Sequence, residues 1–209
     1  MPDQPYRPSF DPAAFVDVID NPLLPLVPGT ILEYRGAEHV VLTVTHDTRK
    51  VMGVTATVVT DEDYVDGMLI EETFDWFAQD RWGNVWYLGE ATAEIQNGSP
   101  TSTHGSWEAG VDGARPGIVM LAQPRPGDAY RQEFLRGEAE DVARIVDVDT
   151  GFQIPFGRFS GVLVTEETSP IEPGVAEVKR YAPGVGLIES RTVRGGSKLV
   201  RLVKVTTGP

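Results

Sequence analysis

Cysteine is absent from this chain. That excludes thiol catalysis, disulfide staples and thiolate metal sites, and leaves the compartment undecided. Histidine is scarce, with only His39, His46 and His104. His39 and His46 fall on opposite faces of one predicted strand and no zinc-like spacing exists, so no metal site and no cofactor is expected. No apolar run reaches the length of a transmembrane helix. Positive charge is also short, with 18 Lys and Arg against 31 Asp and Glu and a net charge of −13. That argues against nucleic acid and anionic membranes as partners, because both require basic footprints. The opening residues, MPDQPYRPSFDPAAF, lack a basic stretch followed by an apolar one, so no signal peptide is read there. The chain as written is expected to be cytoplasmic, with export of a longer precursor left open.

What is present is period-two patterning. Residues 1–29 are proline-rich and read as an arm packed on the body, because Pro22, Pro25 and Pro28 forbid a continuous helix or central strand. A short helical turn is expected within residues 11–18. From Thr30 onward, runs dense in Val and Thr recur at roughly ten-residue spacing with turn residues between them. Asp66-Gly67 is a hairpin signal. Only 137–144, GEAEDVAR, could pass for a short helix. The fold class predicted is all-β: a curved antiparallel sheet or incomplete β-barrel with a proline-rich N-terminal arm. The expected organisation is an arm over 1–29 and one antiparallel domain over 30–209.

The segment from Leu69 to Glu90, LIEETFDWFAQDRWGNVWYLGE, carries the clearest chemical signal. On an ideal strand Glu72 shares a face with Ile70, Phe74, Trp76 and Ala78. A carboxylate on an apolar face must be paired, protonated or bound to something, because an isolated buried charge is too costly. A register shift would instead leave Glu72 in solvent. His46 falls at a strand end on the face of Val40, Leu42 and Val44. It is either an ordinary strand-end histidine or the partner of a carboxylate at a cavity rim.

Two further segments bear on a site. The loop 105–118, GSWEAGVDGARPGI, sets Trp107 and Glu108 beside Asp112 and Arg115, a composition suited to a lid or to a plain structural turn. The acidic stretch 61–66, DEDYVD, lacks the glycine and terminal glutamate of a calcium loop. Charge is uneven: residues 51–80 hold eight carboxylates and no Lys or Arg, and residues 179–204 hold seven Lys or Arg and one carboxylate. These regions either neutralise each other as neighbours or form an acidic mouth for a cation.

The segments 73–90, 105–118, 130–141 (YRQEFLRGEAED) and 181–189 (YAPGVGLIE) resemble a family of uncharacterised bacterial β-rich proteins. The last of them also looks like a signature in envelope proteins loosely similar to lipoprotein-carrier folds. The resemblance implies a curved antiparallel sheet around an apolar cavity, and no activity.

The leading expectation is a module that binds a small or elongated apolar ligand in the concave face of the sheet. Phe74, Trp76, Trp86, Tyr87, Trp107 and Glu108 would make contact and Glu72 would fix orientation. The alternative is a cofactor-independent acid–base enzyme, a cyclase, isomerase or hydratase, with Glu72 as acid or base, His46 as its partner and Tyr87 as donor. A third class, an interaction protein without a pocket, is separated from both by whether the fold encloses a cavity.

Overall fold

The computed structural model describes residues 6–208. It is built almost wholly from strands: β1 (Phe15–Val16), β2 (Thr30–Gly36), β3 (His39–Val51), β4 (Val54–Val65), β5 (Met68–Asp80), β6 (Val85–Gln96), β7 (Ser99–Ser102), β8 (Trp107–Glu108), β9 (Arg115–Met120), β10 (Ala129–Arg131), β11 (Glu133–Phe134), β12 (Val142–Ile154), β13 (Gly157–Thr168), β14 (Ala176–Ala182), β15 (Gly186–Arg194) and β16 (Leu199–Thr207). All pairings are antiparallel. The sequential hairpins follow from local turn chemistry. Met52-Gly53, Asp66-Gly67 and Asn97-Gly98 each place two successive residues at positive φ, the twist-matched geometry of two-residue hairpin turns.

The strands form one sheet in the order β10-β12-β13-β14-β15-β16-β2-β3-β4-β5-β6-β9-β11. Its two ends, β10 and β11, are consecutive in the chain, with Gln132 between them. The same stretch therefore pairs with β12 through Ala129–Arg131 and with β9 through Glu133–Phe134. The result is a nearly closed barrel whose seam is crossed by the chain but not sealed by a continuous ladder. This bears out the all-β, incomplete-barrel expectation. The helix considered for 137–144 is not formed. That segment makes a turn at Gly137, with Leu135 bridged to Ala139, and then enters β12.

The arm, described from residue 6, contains one 3-10 turn at Pro12–Ala14, capped by Asp11, which accepts from Ala13 N. It then pairs β1 with the end of β5. Gln79 Oε1 accepts from the backbone N–H groups of Asp20 and Asn21, and Gln79 Nε2 donates to Asp20 Oδ1. On either side of this clamp Ile19 and Leu26 are buried with Val44, Val85, Met120 and Tyr181. The outer wall carries its own ionic cluster: Glu189, 2 % exposed, lies between Arg180 and Arg201, each at 2.6 Å.

Candidate functional site

The barrel interior holds a half-open cavity of about 240 Å3. One part of its wall is apolar: Leu24 and Leu26 from the arm, with Leu42, Val59, Phe77 and Leu187 from the strands. The other part is acidic: Asp61 on β4, Asp75 on β5, Glu133 on β11, Asp141 just before β12 and Glu167 on β13. The cations lining it reduce to Lys179 on β14.

Alternation along the strands explains this wall. On β5, Thr73, Asp75 and Phe77 share a face, and Asp75 and Phe77 line the cavity. Across β4, Val59 lies opposite Asp75 and Asp61 opposite Thr73, so Asp61 and Asp75 are diagonal neighbours on the inner face. On β6, Tyr87 pairs with Phe77 and Glu90 with Asp75, so Leu88 and Gly89 stand against Trp76 alone. That bulge lets Tyr87 and Glu90 share the inner side despite their odd separation. It is centred near Gly89, at φ 143, where a Cβ would stand 2.4 Å from the Trp107 carbonyl oxygen and 2.8 Å from the Trp76 ring.

Polar partners are few. The Tyr87 hydroxyl donates to Asp75 Oδ1. Trp107 Nε1 donates to Glu133 Oε2 at 3.0 Å. Lys179 Nζ pairs with Glu167 Oε2 at 2.7 Å, and Glu167 Oε1 also accepts from Thr165 Oγ1 at 2.9 Å. Asp61 Oδ1 and Gln132 Oε1 are buried without any partner. A second cavity of about 130 Å3 shares Asp141, Glu167 and Lys179 with the first, and adds Glu172 and Glu177 towards the exposed β13–β14 turn.

Burial sets the protonation of this wall. It pushes Asp75 up to about 6, with the Tyr87 bond holding it back. Burial, reinforced by Asp141, raises Glu133 to about 7. Burial, with Asp75 and Glu133 close by, raises Glu90 to about 9. Asp61 is driven well above the carboxylate range by burial and then by Asp75. Burial alone would lower Lys179, but the facing Glu167 carries it well above its ordinary value and keeps it an ammonium.

The residues singled out from sequence divide three ways. Tyr87 lines the cavity, and Trp107 stacks edge-on to it at 5.3 Å while holding Glu133. Trp76 and Trp86 are buried in the same apolar cluster as Tyr87 and Trp107 but do not line the cavity. Trp86 packs on Phe10 and Phe15 of the arm, and Arg49 lies 4.0 Å over the Trp76 ring. Glu108 is paired with that same Arg49 at 2.5 Å. Glu72 and Phe74 alternate with the cavity-lining residues. Glu72 is half-buried opposite Glu62, and Phe74 is exposed. His46 is exposed beside Gly29. Glu72 and His46 are both absent from the cavity wall, whose β5 carboxylate is Asp75.

From the sequence Asp61 is met only within the acidic stretch 61–66, weighed for calcium, and Asp75, Glu133, Asp141, Glu167 and Lys179 are not singled out. The available signals were the carboxylate-rich stretch 51–80 and an isolated glycine, Gly89, inside a strand. Among the described residues no cluster of His, Asp and Glu is arranged to hold a metal ion, and no helix is long and apolar enough to cross a membrane.

No family model matches the chain, and no curated protein matches it. The motif resemblance read from the sequence therefore gains no matching family. Two solved structures are similar. One is a Bacteroides fragilis protein described as exported, with a YmcC-like fold. It is 14 % identical, with a TM-score of 0.49, over 88 % of this chain and 99 % of that one. The other is a Parabacteroides distasonis protein described as a lipoprotein. It is 10 % identical, with a TM-score of 0.46, over 91 % of this chain and all of that one. The cytoplasmic expectation runs against these descriptions, exported protein and lipoprotein, and is withdrawn.

Proposed function

We propose that the protein binds a small molecule inside the barrel. The observation that carries this reading is the cavity of about 240 Å3, lined by both apolar and acidic side chains. It lies just below the size range typical of ligand pockets, about 300–1,000 Å3, and has their usual composition of apolar surface with a few convergent polar groups. The ligand's apolar part rests on Leu24, Leu26, Val59 and Phe77. Asp75, held by Tyr87, takes the orienting part first expected of Glu72. The test is to fill the space with Leu24→Trp and follow thermal unfolding against a panel of small molecules. Compounds that stabilise the wild type should leave the filled variant unmoved; equal responses would remove the reading.

A second reading is favoured by the Asp75–Tyr87 bond. Asp75 at about 6 and Glu133 at about 7 stand near the pH where an acid and a base work best. Such a pair suits cofactor-independent proton transfer, as in isomerisation, cyclisation or hydration. With a turned-over compound in hand, Asp75→Asn should lower kcat by roughly 100-fold or more.

A further inference from the structure

The cavity wall is rich in carboxyl groups and poor in cations. Asp61, Asp75, Glu133 and Asp141 line it, and its one cation, Lys179, is taken up by Glu167. Two acceptors buried in it, Asp61 Oδ1 and Gln132 Oε1, have no partner at all. Gln132 is only 7 % exposed and sits where the chain crosses the seam between β10 and β11, so its oxygen is not an incidental surface atom. Buried acceptors left unmade are costly, and the group that removes the cost is a donor. A donor with positive charge also answers the excess of carboxyl groups, and hydrogen bonds from charged donors are the strong ones. A bare metal ion is not what the geometry offers, since the described acidic groups do not converge into a ligand set. The apolar side chains beside the acids, among them Val59 directly across from Asp75, call for a carbon body attached to the donor head.

We propose that the ligand of this cavity is a small organic cation: an ammonium group seated between Asp61, Asp75 and Gln132, carrying an aliphatic body against Leu24, Leu26 and Val59. Resting on the small-molecule reading above, this assigns that ligand's chemical class. The second cavity, with Glu172 and Glu177 beyond the Glu167–Lys179 pair, makes the approach acidic as well. A cation arriving there is drawn inward, and Lys179 is neutralised by its pairing with Glu167 instead of opposing it.

The experiment is calorimetric titration of the full chain near neutral pH with matched probes, n-butylammonium, n-butanol and butyrate, with calcium as a further arm. Each titration is repeated on Asp61→Asn and on the outward-facing Glu72→Gln. The expected result is n-butylammonium binding at least roughly tenfold tighter than n-butanol, with that advantage lost in Asp61→Asn and kept in Glu72→Gln. Asp75→Asn replaces Asp61→Asn if the latter does not fold. Equal or tighter binding of butanol or butyrate overturns the cation assignment and leaves the cavity reading standing. So does calcium binding in place of the ammonium, or ammonium binding that survives Asp61→Asn. No binding by any probe at high millimolar concentration overturns both.

Discussion

Tyr87 donates its hydroxyl proton to Asp75 across the β5–β6 pair, and both side chains line the barrel cavity. The bond is made possible by the bulge at Gly89, which turns Tyr87 inward opposite Phe77 while Glu90 remains opposite Asp75. Its consequence is electrostatic: a donor to a carboxylate favours the ionised form. Removing the hydroxyl in Tyr87→Phe should therefore raise the Asp75 pKa above about 6. Carboxyl titration followed by NMR measures it, and an unchanged or lowered value would show that the bond does not set Asp75.

Stability should fall with rising pH on account of the buried acids. Glu90 has its folded pKa raised from 4.5 to about 9. Its contribution is fully present below the unfolded value, where both states hold the proton. It is lost as pH climbs towards the folded value, because the unfolded chain ionises first. Glu133, raised to about 7, acts with the same sign over a narrower window. Urea midpoints of the wild type should therefore decline between about pH 4.5 and 9. In Glu90→Gln the decline should be shallower, and equal slopes would show that Glu90 ionises freely in the folded protein.

Glu189 is the most exacting ionic position. It is buried between Arg180 and Arg201 at 2.6 Å from each. Glu189→Gln leaves two guanidinium groups facing each other without their anion, and breaking a buried pair costs about 3–5 kcal/mol. Equilibrium urea unfolding should register a loss of that order. A change below about 1 kcal/mol would place this cluster with ordinary surface ion pairs.

The arm depends on Gln79, whose amide joins β5 to Asp20 and Asn21. Gln79→Ala strands two backbone N–H groups, at a cost of about 1–3 kcal/mol for each that stays buried. Amide exchange across residues 19–28 should quicken while the central strands stay protected. Uniform protection would mean that the insertion of Leu24 and Leu26 alone secures the arm.

Glu72 provides the contrast. It sits on the opposite face of β5 from the cavity, so Glu72→Gln should change stability by no more than about 0.5 kcal/mol. Ligand-induced thermal shifts should be retained, and their loss would return Glu72 to the site.

Much of the architecture was legible along the chain. Alternating Val and Thr, turn pairs such as Asp66-Gly67 and the proline-rich arm each express local backbone physics, which needs no tertiary contact to be read. Strand limits were less legible: β3 runs to Val51 and β6 to Gln96, because the hairpin pairing continues through polar residues such as 47–50 and Glu94. On β5 the apolar pattern could not decide which face turns inward. Trp76 and Phe77 are adjacent, and both are covered: Trp76 lies in the cluster with Trp86, and Phe77 packs against that cluster and lines the cavity.

By itself the sequence determined the all-β class, the hairpin succession, the acidic character and the absence of thiol chemistry, all consequences of composition and short-range geometry. Only the tertiary structure decided the site. A one-residue difference in facing exchanges Glu72 for Asp75. The bulge at Gly89 brings in Tyr87 and Glu90. The crossing of the seam at Gln132 sets Glu133, Asp141, Glu167 and Lys179 around Asp61 and Asp75. Those neighbours lie far apart in the chain, and barrel closure is what joins them.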